Sequence, residues 1–162
     1  MAPGSPRAGV VARGPQGERI LPLDGFFQGP FTTTLDAAEV VTEIRVPDPG
    51  PRSGGAYLKL ERRVGDFATA AVGVQLTFDD GRVARAGIAL TGVGATNIRA
   101  VEAEQALAGA ELDDDAIRGA AALAARAAEP QSDLRGSAEY KRRIVEVFTE
   151  RALRASAAGA KL

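Results

Sequence analysis

The sequence predicts an α+β fold in which an antiparallel meander precedes three helices. Val72, Val74, Leu76 and Phe78 alternate with small or polar residues, and Asp79-Asp80-Gly81 then offers a hairpin turn into an apolar return segment over 83–90. Beyond Thr96 the apolar period lengthens from two to about 3.6, the spacing of a helix face. A Pro/Gly-rich run over 47–55 sets this lobe apart from a β-rich segment before it.

Residues 1–8 are rich in Pro, Gly and Ser and are expected to be disordered or poorly anchored. Val10-Val11-Ala12-Arg13 and Glu18-Arg19-Ile20-Leu21 flank Gly14-Pro15-Gln16-Gly17, which reads as a β-hairpin. The stretch 24–30, with Phe26 and Phe27 adjacent, reads as an irregular loop. Asp36-Ala37-Ala38-Glu39 has the spacing of a capping box and predicts a single helical turn. Val40, Thr42, Ile44 and Val46 alternate with their neighbours as a half-buried strand does, and Pro47 ends it. Segment 48–55 reads as a linker, followed by a short strand over 57–60.

In the helical part, Thr96 is expected to cap a helix running to about Leu107, with Gly109 as its stop. Asp113-Asp114-Asp115 places negative charge at the start of a second helix, whose inner stripe is Ile117, Ala120, Ala121, Ala124 and Ala128. Ser137 caps a third helix with the stripe Tyr140, Ile144, Val147 and Phe148, and the tail from Ala155 is expected to fray.

Composition narrows the function. With 162 residues and a net charge of −1, the chain suits one domain or two small lobes and has no electrostatic drive toward nucleic acid or a membrane surface. No apolar run reaches the roughly 20 residues of a membrane helix, and the opening segment lacks the apolar stretch of a secretory signal. Neither cysteine nor histidine occurs, which removes thiol chemistry, Fe–S ligation, the commonest metal ligand and the commonest general base from this chain.

The densest chemistry lies at Lys59-Leu60-Glu61-Arg62-Arg63-Val64-Gly65-Asp66-Phe67, with three cations, two acids and an aromatic in nine residues. Charges at the edge of a core are paired or face a polar ligand, so this is either an ion-pair turn or a binding turn. Gly92-Val93-Gly94-Ala95-Thr96 lacks the third glycine of a dinucleotide loop, since Asn97 stands there, and reads as a tight strand-to-helix turn. Consecutive acids at 113–115 diverge around a helix axis and suit capping better than a cation. Ser132-Asp133-Leu134-Arg135-Gly136 reads as a cap and ion pair before the last helix.

Three stretches resemble the flavoprotein (medium) subunit of the molybdenum hydroxylases, most closely that of carbon monoxide dehydrogenase, with xanthine dehydrogenase in the wider family. They are Gly17-Glu18-Arg19-Ile20-Leu21-Pro22 on to Ile44-Arg45-Val46-Pro47; Ala56-Tyr57-Leu58-Lys59-Leu60-Glu61-Arg62-Arg63-Val64-Gly65-Asp66-Phe67-Ala68 with Ala89-Leu90-Thr91-Gly92-Val93-Gly94-Ala95-Thr96; and Ser132-Asp133-Leu134-Arg135-Gly136-Ser137-Ala138-Glu139-Tyr140-Lys141. The resemblance implies that 9–47 is the C-terminal remnant of a PCMH-type FAD-binding domain. It implies that 56–155 is a domain like the CO dehydrogenase flavoprotein C-terminal domain, a three-stranded antiparallel sheet packed with a three-helix bundle, with 156–162 as tail.

The same resemblance implies FAD as cofactor. Phe67 would lie on the isoalloxazine face, with Lys59 near the ring edge where its charge favours the anionic reduced flavin, Asp66 in the same turn, and Val40 and Val41 as apolar contacts. The family's two glycine-rich loops for the FAD pyrophosphate precede the region that matches this chain, so only a partial site is expected, completed by an N-terminal half. A truncated product, a split-gene half and an excised domain all fit. The expected partners are a molybdopterin-binding large subunit and a [2Fe–2S] small subunit, the location cytoplasmic, and the role that of an oxidoreductase component not active alone. A scaffold or subunit-assembly module without flavin is the alternative.

Overall fold

In the computed structural model, which describes residues 8–160, a two-residue turn at Pro15-Gln16 closes the hairpin of β1 (Gly9–Gly14) and β2 (Gly17–Pro22), with Gly14 opposite Gly17. The described residues fall into two units that part between Asp48 and Pro49. Of the segment 1–8, only Ala8 lies among the described residues, and its carbonyl accepts a hydrogen bond from Leu23 N (3.0 Å).

In the first unit the stretch expected to be irregular contains a small ladder of β3 (Phe27–Gly29) and β4 (Thr32–Thr33). Phe26 is buried and meets Phe27 edge to face, with ring centroids 5.1 Å apart. Strand β5 (Val40–Arg45) pairs with the other side of β1, giving the order β2-β1-β5. Central β1 buries Val10, Val11 and Ala12, whereas β5 is exposed along its whole length. The half-buried strand expected there is therefore an edge strand, and among the described residues only β1 flanks it. The helical turn expected at 36–39 is a single hydrogen-bonded turn, Glu39 N to Asp36 O at 3.0 Å, and not helix. Glu39 does accept a bond from Asp36 N (2.8 Å), as a capping-box glutamate does, but the next residue enters β5 and no helix propagates.

The second unit carries a sheet of β6 (Ser53–Leu60), β7 (Ala70–Asp79), β8 (Arg82–Thr91) and β9 (Ile98–Arg99), in that spatial order and antiparallel throughout. Asp80 and Gly81 both take positive φ (47° and 73°), as the tight turn between twisted strands requires. Val72, Val74, Leu76 and Phe78 turn inward and are buried. Each large side chain so buried contributes roughly 1.5–3 kcal/mol. Helix α1 (Val101–Leu107) lies against β8, α3 (Ala138–Gly159) lies against β6 and β7, and α2 (Asp114–Ala127) packs on both helices.

The fourth strand replaces part of an expected helix. Ile98 and Arg99 pair with Leu90 and Ala89, so α1 starts only at Val101, after Ala100, and no side chain caps it. Ladder bonds and the burial of Ala100 outweigh the local capping signal at Thr96. The linker expected over 48–55 overlaps β6, because Gly54 lies under α3, where a side chain has no room.

Helix α2 follows expectation, with Asp113 as its cap (Ala116 N to Oδ1, 2.8 Å) and Ile117, Ala120, Ala121 and Ala124 buried. On α3 the Ser137 cap forms (Tyr140 N to Oγ, 3.1 Å), but the inner stripe is Lys141, Val145, Thr149, Ala152, Leu153 and Ser156. Tyr140 is exposed, and Ile144, Val147 and Phe148 are half-buried. Thr149, Ala152 and Ser156 are the small members of this line, and at the last of them α3 runs close to the sheet, where Ser156 Oγ donates to Val74 O (3.4 Å). The tail expected from Ala155 is helix as far as Gly159.

Candidate functional site

The charged turn joins β6 to β7, and the ladder itself sets its base. Leu60 lies opposite Ala70, and Thr69 N donates to Leu60 O (2.8 Å). Within it Gly65 takes φ 86°, a left-handed conformation that side chains resist, and Asp66 N reaches back to Arg63 O (3.0 Å). The result is a small protruding turn, with a shallow hollow lined by Arg62, Arg63, Val64, Gly65 and Asp66.

Phe67 is the notable product of this geometry. Its side chain is 83% exposed although its backbone is held on both sides. Phe67 N donates to Asp66 Oδ1 (2.9 Å), and Phe67 O accepts from Arg135 Nη1 (3.0 Å). Arg135 Nη2 also donates to Asp66 Oδ1 (3.2 Å), while Arg62 stands 3.9 Å from Asp66 Oδ2. Val64, on the same turn, is fully exposed.

Lys59 sits at the end of β6 and is paired with Glu61, Nζ to Oε2 at 2.5 Å. Glu61 Oε2 is buried, and its contact with Lys59 is an ion pair rather than an aligned hydrogen bond. Lys59 therefore presents a partly compensated charge. Asp66, also predicted from the sequence, meets the Phe67 amide, the Arg135 guanidinium and Arg62 with its oxygens. Val40 and Val41 lie on β5 in the first unit, 63% and 43% exposed. As consecutive strand residues they face opposite sides of their sheet, so a flat ligand on one face meets only one of the two side chains.

Two participants were hidden from sequence reading. Glu61 was counted in the cluster but not as the lysine's partner. Arg135 lies 68 residues beyond Phe67, and local spacing offers no signal for a contact at that separation.

The turn fits one part of FAD and not another. An exposed aromatic on a fixed backbone suits the flat apolar face of an isoalloxazine ring. A diphosphate needs oriented N–H groups free of competing acids, usually at a helix start. Here Asp113, Asp114 and Asp115 crowd the start of α2, Glu102 and Glu104 lie in the first turn of α1, and Glu139 follows the Ser137 cap of α3. No cluster of metal-ligating side chains occurs among the described residues, and no helix there is long and apolar enough to cross a membrane.

Comparison with known proteins covers both units. Residues 55–156 match the family described as the CO dehydrogenase flavoprotein C-terminal domain, and residues 6–49 match the FAD binding domain in molybdopterin dehydrogenase. The chain is 42% identical over 148 residues to the carbon monoxide dehydrogenase medium chain of Afipia carboxidovorans, covering 91% of this chain and 51% of that protein. It is 34% identical to the glyceraldehyde dehydrogenase medium chain of Sulfolobus acidocaldarius, covering 91% and 52%. Among solved structures, carbon monoxide dehydrogenase from Hydrogenophaga pseudoflava superposes with a TM-score of 0.91 at 43% identity, over 95% of this chain and 54% of that one. The chain thus spans about half the length of the curated relatives it matches.

Proposed function

The chain belongs to the CO dehydrogenase flavoprotein family, and from that premise we propose that it forms the C-terminal part of the flavoprotein subunit of a molybdenum hydroxylase. Residues 9–47 would close an FAD-binding domain and 56–155 would form the C-terminal domain. When bound, FAD would supply the step that takes electrons from [2Fe–2S] clusters to an external acceptor. A molybdopterin-binding large subunit and a [2Fe–2S] small subunit would complete the assembly, in the cytoplasm.

The observation that carries this reading is the solvent-facing Phe67 ring on a hydrogen-bonded turn. In the proposed site Phe67 lies along one face of the isoalloxazine ring and excludes water from it. Lys59, with Glu61 as its counter-ion, sets the charge at the ring edge, and Asp66 holds the turn. Val40 and Val41, exposed on β5, are the first unit's proposed apolar flavin contacts. The pyrophosphate is bound elsewhere, which fits the acidic helix starts.

The test is an FAD titration of the purified chain, alone and with an N-terminal half taken from a related flavoprotein. Alone, it should leave gel filtration without stoichiometric flavin; with the added half, flavin absorbance should appear in the complex. A yellow chain with one flavin per molecule would sink the partial-site reading. Association of the halves without flavin would favour an assembly module.

A further inference from the structure

We infer that Arg135 is a positioning residue for the Phe67 turn, fixing the backbone from which the ring is presented; this rests on the flavin-facing reading given above. An aromatic side chain that is 83% exposed has no packing to hold it in place. Its direction depends on its backbone, and that backbone belongs to a turn at the rim of the sheet. The Arg135 guanidinium reaches this turn from the loop before α3 and donates to Phe67 O (3.0 Å) and Asp66 Oδ1 (3.2 Å). The planar fork of arginine serves two acceptors at once, which a lysine ammonium on its flexible stem does less well.

Arg135 is itself held in place. Its N–H donates to Asp133 Oδ1 (2.8 Å), and Asp133 Oδ2 pairs with Lys141 Nζ at 2.8 Å. Lys141 is 4% exposed and also donates to Gln131 O (2.8 Å), so its ammonium is anchored at the start of α3. The adjacent ammonium holds the Asp133 carboxyl below its ordinary range. Asp133 and Gly136 exchange two backbone bonds, each 3.1 Å, and Gly136 at φ 145° sits against the Tyr140 ring. A chain of contacts therefore runs from the helix to the turn: Lys141 to Asp133, Asp133 to the Arg135 amide, and the Arg135 guanidinium to Asp66. The Arg135 side chain is 27% exposed while its neighbour Leu134 is fully exposed, and its guanidinium donates to the turn at Phe67 O and Asp66 Oδ1.

The test uses the 162-residue chain as wild type, Arg135→Gln and Arg135→Lys. The probe is flavin mononucleotide, which carries the isoalloxazine ring without a diphosphate. Two quantities are read by NMR: amide hydrogen exchange at Asp66 and Phe67, with α2 amides as internal control, and the ring-current shift of the Phe67 resonances on titration. The wild type should show a saturable shift. In Arg135→Gln the two turn amides should exchange about tenfold faster while α2 is unchanged, and the flavin mononucleotide Kd should rise about tenfold. Arg135→Lys should recover part of both. Wild-type exchange and titration in Arg135→Gln would overturn the positioning role while leaving the flavin reading intact. Absence of any shift in the wild type would overturn ring binding by this turn without the N-terminal half, and exchange at Asp66 and Phe67 would then decide the positioning role: about tenfold faster exchange in Arg135→Gln supports it, and wild-type exchange overturns it. If Arg135→Gln loses its fold, Arg135→Lys decides: faster exchange confined to the turn with weaker binding supports the role, and wild-type values in both overturn it.

Discussion

A Cβ placed on Gly54 would stand 2.0 Å from the carbonyl oxygen of Ser156 and 2.7 Å from Ala160 N, so α3 crosses β6 at backbone distance. Gly54→Ala should therefore push the helix off the sheet and cost about 3 kcal/mol or more. At Gly55 a Cβ meets the flexible end of Gln75, at 2.6 Å, and that side chain can swing away. Urea unfolding should show a clearly larger loss for Gly54→Ala than for Gly55→Ala; equal losses would contradict the close-approach account.

Glu104 is the buried acid of the second unit, 6% exposed, and it serves two donors from different elements. Its Oε1 accepts Ile88 N (3.0 Å) and Arg99 Nε (2.9 Å), tying α1 to β8 and β9. Glu104→Ala leaves the Ile88 amide without its acceptor and takes the carboxylate away from the Arg99 guanidinium, at a cost of about 2–4 kcal/mol. Glu104→Gln keeps one acceptor oxygen and should recover part of that, which thermal unfolding of the two variants would reveal.

In the first unit Arg19 grips Glu39 through Nε (2.6 Å) and Nη2 (2.7 Å), and with the Asp36 amide it draws the Glu39 pKa down to about 2. A depressed folded-state carboxyl contributes stability above its unfolded pKa, and the contribution disappears as pH falls through the folded value. The first sheet should thus weaken from about pH 4.5 down toward pH 2. An NMR titration of the Glu39 carboxyl should move up toward the ordinary glutamate range in Arg19→Gln, with the Asp36 amide still holding it lower. An unchanged titration there would remove the pair as the cause.

Phe67 gives the sharpest separation of stability from binding. Because the ring is 83% exposed, Phe67→Ala should change unfolding free energy by no more than about 0.5 kcal/mol. In the two-half complex the same change should weaken flavin retention about tenfold or more through lost stacking. A variant that unfolds early but holds flavin normally would place Phe67 in the core economy of the fold instead.

Strands, turns and the second helix were legible because each is written locally. Alternation marks β7, Asp80-Gly81 marks its hairpin, and Asp113 with an alanine stripe marks α2. The errors share one cause, which is tertiary contact overruling a local signal. Thr96 looks like a cap, but the partners of Ile98 and Arg99 are on β8, which no helical spacing reveals. Gly54 looks like linker because nothing nearby announces a helix about a hundred residues later lying on it. In the charged cluster an ion-pair turn and a binding turn are the alternatives, and the structure shows ion pairs beside an exposed aromatic ring. Glu61 answers Lys59 while Phe67 stays in solvent.

The open side of β5 has a practical consequence. Val40, Ile44 and Val46 are 63%, 62% and 76% exposed, on and just beyond a strand flanked among the described residues by β1 alone. Such a strand is a template for further pairing, and a purified sample is expected to stick to itself as it is concentrated. Storage lifetime, not unfolding temperature, would then limit work with the isolated chain. A lysine at Ile44, far along the strand from Val40, is the economical remedy: it should delay turbidity while leaving the β1 ladder intact.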